Sequence, residues 1–122
     1  VPCGVYGDQN RFEQMLEDQT TIEKAGKLIS ELSGKNDALS HNQLARWVAT
    51  KESHATAIQN TIADYFMAQR IKASDKKYSD KLAKAHAVMV AAMKCKQTVD
   101  AQTAAALKES ILSFHKAYEG KK

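Results

Sequence analysis

The chain holds a single proline, at position 2, so nothing after it carries the strongest helix breaker. Its two cysteines, Cys3 and Cys95, could pair, but one bridge is weak evidence for a secreted, disulfide-stapled scaffold. No apolar run approaches the ~20 residues that span a bilayer, and no signal peptide is visible. Aromatics make up only 7 %, and no basic block is interleaved with them, which argues against nucleic acid as a partner. The net charge of +4 is modest, with lysines and acids mixed along the chain. No strand pattern, internal repeat or low-complexity stretch competes with a helical reading.

What remains is a sequence dominated by Ala, Lys, Gln, Glu and Leu, all good helix formers, in 122 residues, enough for one domain and one core. Asp8 is expected to cap a first helix carrying Phe12, Met15, Leu16, Ile22, Ile29 and Leu32 up to Gly34. Ser40 is expected to cap a second, with Leu44, Trp47, Val48, Ile58, Ile62, Tyr65, Phe66 and Ile71. Unbroken to Lys72, it would be roughly 48 Å long. Ser74 and Asp75 open a third helix through Met93, and Thr98 or Asp100 caps a fourth ending at Gly120. Four helices with short connections imply an all-α, antiparallel up-down four-helix bundle. The apolar surplus of the long second helix suggests contact with another subunit.

Bundle chemistry of the common kinds is not supplied. A di-iron centre needs Glu-x-x-His on two helices, but Glu52 and His54 stand two apart and no other histidine has a matching glutamate. A Cys-x-x-Cys-His haem attachment is absent, and His41, His54, His86 and His115 occur singly. Cys95, between Lys94 and Lys96, reads as a small buried residue. The N-terminal segment differs. Pro2 fixes the backbone before Cys3 and Gly4 frees it afterwards, which places a soft thiolate ligand on a short turn ahead of the bundle. One cysteine is one ligand, so further donors must come from elsewhere.

Pro2-Cys3-Gly4-Val5-Tyr6 resembles the nickel hook of nickel-dependent superoxide dismutases, which reads His-Cys-x-x-Pro-Cys-Gly-x-Tyr at the mature N-terminus. The likeness continues through Gly7-Asp8-Gln9, Leu39 to Gln43, Asp64-Tyr65-Phe66 and His86 to Met93, as in cyanobacterial and algal forms. The resemblance implies residues 1–8 as hook remnant and 9–120 as bundle, within one domain over 1–122. It also implies a homohexamer and a redox-active nickel ion that disproportionates superoxide to O₂ and H₂O₂. The compartment would be cyanobacterial cytoplasm or algal plastid.

In that family the ligands are the first residue's amine and imidazole, the second residue's amide and thiolate, and a later thiolate. Only the last maps here, onto Cys3. Tyr6 matches the tyrosine screening the open axial side of the metal, and Tyr65 the second tyrosine close to it. Pro2 and Gly4 shape the hook, and Glu13 matches the glutamate that orients the leading histidine. Relative to the motif, the sequence starts at Val1 three residues late, so the leading histidine, first cysteine and following residue are expected upstream. A chain truly starting at Val1 would instead be a catalytically inactive, metal-free scaffold or interaction subunit. Positive charge would steer the superoxide anion, but the sequence leaves open which of Arg11, Lys51 and Arg70 stands near the hook.

Overall fold

The computed structural model describes the backbone of residues 5–120 and the side chains of residues 7–120. Helix α1 spans Val5–Leu32, α2 Ala38–Asn60, α3 Tyr78–Gln97 and α4 Ala101–Glu119. Between α2 and the turn that follows lies a π-helical segment, Thr61–Arg70. Each helix packs on its neighbours in a closed ring, α1 on α2, α2 on α3, α3 on α4 and α4 on α1. The up-down four-helix bundle is thus confirmed, and the described residues contain no strand.

The core is written in steps of three and four, the spacing that keeps one stripe of an α-helix facing its partners. In α3 the buried residues are Ala85, Val88, Ala92 and Cys95; in α4 they are Ala104, Leu107, Ile111 and Phe114. In α1 the same rhythm runs through Phe12, Met15, Gln19, Ile22, Gly26 and Ile29, all buried. Gln19 and Gly26 in that series face the start of α4 and the α3–α4 turn. Gln19 Nε2 donates to the carbonyl of Ala104 at 2.9 Å, satisfying a buried amide. A Cβ on Gly26 would come within 2.9 Å of the Val99 carbonyl oxygen, so only glycine lets that turn approach.

Three helix starts differ from expectation, one of them α3, which opens at Tyr78 after Lys77 and not at Ser74 and Asp75. Helix α2 is capped by Asp37, whose carboxylate accepts from the Ser40 amide at 3.0 Å, while Ser40 lies inside the first turn and is buried. Helix α1 reaches back to Val5, so Asp8 falls within it and is no cap. Asp100 does cap α4, accepting from the Thr103 amide at 2.8 Å, and Gly120 closes that helix at φ 72°. The second helix is also not α-helical throughout. From Thr61 the hydrogen bonding widens, and the Ile71 amide donates to the Phe66 carbonyl five residues back at 2.8 Å. Such wide turns re-aim side chains and recur at functional sites.

The α1–α2 hairpin outruns the α3–α4 hairpin. The α3–α4 turn meets α1 at Gly26, and the end of α3 meets α2 at Lys51. Residues 27–50 therefore project beyond it, carrying Leu39 (68 % exposed), Val48 (45 % exposed) and a half-buried Trp47 under the Lys24 ammonium.

Candidate functional site

At the opposite end, where α1 begins, four polar side chains from three elements converge. The π segment supplies Tyr65 and Arg70, α1 supplies Asp8, and α4 supplies Tyr118. Both Asp8 oxygens are engaged: Oδ1 accepts from the Tyr65 hydroxyl, and Oδ2 accepts from Arg70 Nη2 at 2.9 Å and the Tyr118 hydroxyl at 3.1 Å. Arg70 Nε donates to the Tyr118 oxygen at 3.2 Å, which closes the ring of contacts. The spacing of five between Tyr65 and Arg70 suits the wide π turn, which lets both reach Asp8.

An aromatic floor supports the cluster. Phe66 lies edge-on to Tyr65, Phe114 and Tyr118, and Phe12 packs beside Phe66 with ring centroids 4.8 Å apart. On the outer side the Arg11 guanidinium sits 5.1 Å from the Tyr65 ring centroid, a cation–π contact. An open depression of about 250 Å³ runs beside it, lined by Arg11, Asn60, Thr61, Asp64, Tyr65 and Gln69. Gly7 closes over the Tyr65 hydroxyl so tightly that a Cβ there would lie 2.9 Å from Oη.

This arrangement sets the proton positions. Burial acts to raise the Asp8 carboxyl, but hydrogen bonds from Tyr65, Arg70 and Tyr118, with the Arg70 charge, outweigh it and hold the group below its ordinary value. Burial, then the bond to Asp8 and its charge, pushes Tyr65 up to about 12. Hydrogen bonds to Tyr118 and Asp8 raise Arg70 further still. Burial raises Tyr118 as well. At neutral pH the cluster is therefore an ionised carboxylate receiving a guanidinium and two intact phenols.

Of the residues singled out from sequence, Tyr65 stands at the centre of this site, 5 % exposed. Cys3, Pro2 and Gly4 lie outside the described residues, as does the side chain of Tyr6, whose backbone joins the first turn of α1. Glu13 is exposed on α1, its carboxylate accepting from Gln9 Nε2 at 2.9 Å. Arg11 and Arg70 flank Tyr65. Lys51 does not: it is 4 % exposed at the far end of α3, where Nζ donates to the terminal carbonyls of Cys95 and Lys96, at 2.9 Å to the latter. Desolvation lowers its pKa. Asp8 and Tyr118 carry no signal of a site in the sequence, since Asp8 matches a helix cap and Tyr118 falls four residues after the buried Phe114 of α4, whereas Arg70 is among the three cations the sequence offers.

A model of the family described as nickel-containing superoxide dismutase matches residues 1–122. The chain belongs to that family. Neither a search of curated proteins nor one of solved structures returned a match. The enzyme is accordingly an oxidoreductase whose cofactor is nickel and whose substrate is superoxide, and no described helix is long and apolar enough to cross a membrane.

The described residues do not by themselves fit the metal. Among them no three His, Cys, Asp or Glu side chains converge on one point. Cys95 is buried, and burial pushes its thiol up to about 11 despite the nearby Lys51, so it is no thiolate at neutral pH. Asp8 has both oxygens engaged by three donors.

Proposed function

We propose that this chain converts two superoxide ions and two protons into O₂ and H₂O₂, with nickel held by the N-terminal segment and Cys3 as a thiolate ligand. The nickel would supply one-electron redox chemistry. The whole-chain family match carries this reading, and the built site at the root of the segment supports it. Tyr65 lies under Gly7, four residues from Cys3, with its ring fixed by Phe66 and its hydroxyl by Asp8. In this reading Tyr65 and Tyr6 flank the metal, Pro2 and Gly4 shape the turn, and Glu13 orients the leading histidine that the resemblance puts ahead of Val1. Arg11, on the outer face of Tyr65, adds positive potential for an incoming anion, an effect that fades with salt.

Assembly into a homohexamer belongs to the same proposal, and the projecting α1–α2 hairpin with exposed Leu39 and Val48 is apolar surface suited to a neighbouring copy.

Cys3→Ser tests the core of the proposal. Nickel binding, thiolate-to-nickel absorption and dismutation should be lost together. Activity surviving in Cys3→Ser would remove Cys3 from the ligand set, and a native chain that neither binds nickel nor dismutates would leave a metal-free bundle.

A further inference from the structure

The geometry points to Asp8, Arg70 and Tyr118 as a clamp that holds the Tyr65 hydroxyl against Gly7 with its proton turned inward. Beyond the clamp, Tyr65 then offers itself as a hydrogen-bond acceptor and not as a donor. This deepens the reading above and rests on it for its catalytic consequence.

The direction of each bond follows from the donor inventory. Arg70 can only donate, and its Nη2 and Nε go to Asp8 and Tyr118. Tyr118 receives from Nε and passes its own hydrogen to Asp8 Oδ2. An ionised Asp8 has no hydrogen to give, so its contact with Tyr65 requires the Tyr65 hydrogen. That hydroxyl presents only lone pairs elsewhere, on a side where Gly7 leaves no room for a side chain. The other cations nearby are Arg11 from α1, over the Tyr65 ring, and Lys81 from α3, over the Tyr118 ring and paired with Asp75.

The consequence concerns the two protons that dismutation consumes. A hydrogen held by a carboxylate that is itself held by a guanidinium is poorly placed for transfer to product. Tyr65 instead orients a water or hydroxyl by accepting from it, and Asp8, Arg70 and Tyr118 are positioning residues acting through Tyr65.

The full chain tests this in two ways. In the metal-free protein, tyrosinate absorption after rapid alkaline jumps should show a phenol titrating near 12 that is absent in Tyr65→Phe. Asp8→Asn should bring it down toward the ordinary 10, and Gly7→Ala, which keeps every clamp residue but displaces Oη, should move it the same way. In the nickel-loaded protein, Asp8→Asn and Tyr65→Phe should each slow dismutation per bound nickel, and the double variant should be no slower than Tyr65→Phe alone. A merely structural Asp8 would give losses that multiply. Multiplying losses, or a Tyr65 titration unmoved in both Asp8→Asn and Gly7→Ala, overturns the clamp. Absence of dismutation in the nickel-loaded native chain would instead overturn the functional reading, leaving the titration to decide the clamp.

Discussion

Replacing Gly7 by alanine sets two known effects against each other. In an ordinary helical position the exchange stabilises, because alanine loses less backbone freedom on folding, by about 0.5–1 kcal/mol. Here the new methyl would lie 2.9 Å from Tyr65 Oη and 3.7 Å from Cζ. The first distance is prohibitive and the second is ordinary contact, so the hydroxyl alone has to move. The ring has little room to follow, being 5 % exposed, edge-on to Phe66 and covered by Arg11. Displacing Oη breaks its bond to the Asp8 carboxylate, and a hydrogen bond to a charged group contributes about 1.5–3 kcal/mol. The net expectation is a loss of about 1–2 kcal/mol, or a midpoint roughly 3–8 °C lower in thermal unfolding followed by circular dichroism.

Two controls share the assay. Gly34 has nothing within 4 Å of its added Cβ, so Gly34→Ala should raise stability by about 0.4–1 kcal/mol. In a Tyr65→Phe background the obstructing oxygen is gone, and Gly7→Ala should turn stabilising. Gly7→Ala that stabilises the native background as Gly34→Ala does would refute the close approach of Gly7 to the Tyr65 hydroxyl.

Lys51→Met should cost about 1–3 kcal/mol in urea unfolding, because it leaves the Cys95 and Lys96 carbonyls without their donor while filling similar volume. Asp8, whose folded pKa is depressed, contributes stability that is present above its ordinary 3.8 and lost as pH falls below that value. The acid limb of stability should therefore flatten in Asp8→Asn. Tyr65 works in the other direction: raised from 10 to about 12, it contributes stability that is intact below pH 10 and lost between those values. Tyr65→Phe should remove that alkaline dependence. Cys95 should stay unreactive to a thiol reagent until urea unfolds the bundle, since it is buried and titrates only near 11.

The sequence by itself determined the bundle and its family. Steps of three and four through α3 and α4 need only the helical period to be read as a core stripe: Ala85, Val88, Ala92, Ala104, Leu107, Ile111 and Phe114 on it are buried, whereas Met93, at the same period, is 42 % exposed. The Asp100 cap is equally local, and Cys3 with its flanking proline and glycine is a motif in one short stretch.

What only the tertiary structure decided are the places where a residue serves a distant partner. Asp8 and Asp37 each precede a run of helix formers, and local pattern cannot tell which carboxylate turns back on its own helix and which reaches across 110 residues to Tyr118. A five-residue spacing joins Tyr65 to Arg70, and a search at the α-helical period passes over it because the π turn is a local widening of the backbone. Lys51, one of many lysines in the sequence, became buried because α3 ends beside it and its carbonyls need a donor. Period and composition are properties of neighbours along the chain; hydrogen bonds that close a site depend on which helix ends meet, and only the fold fixes that.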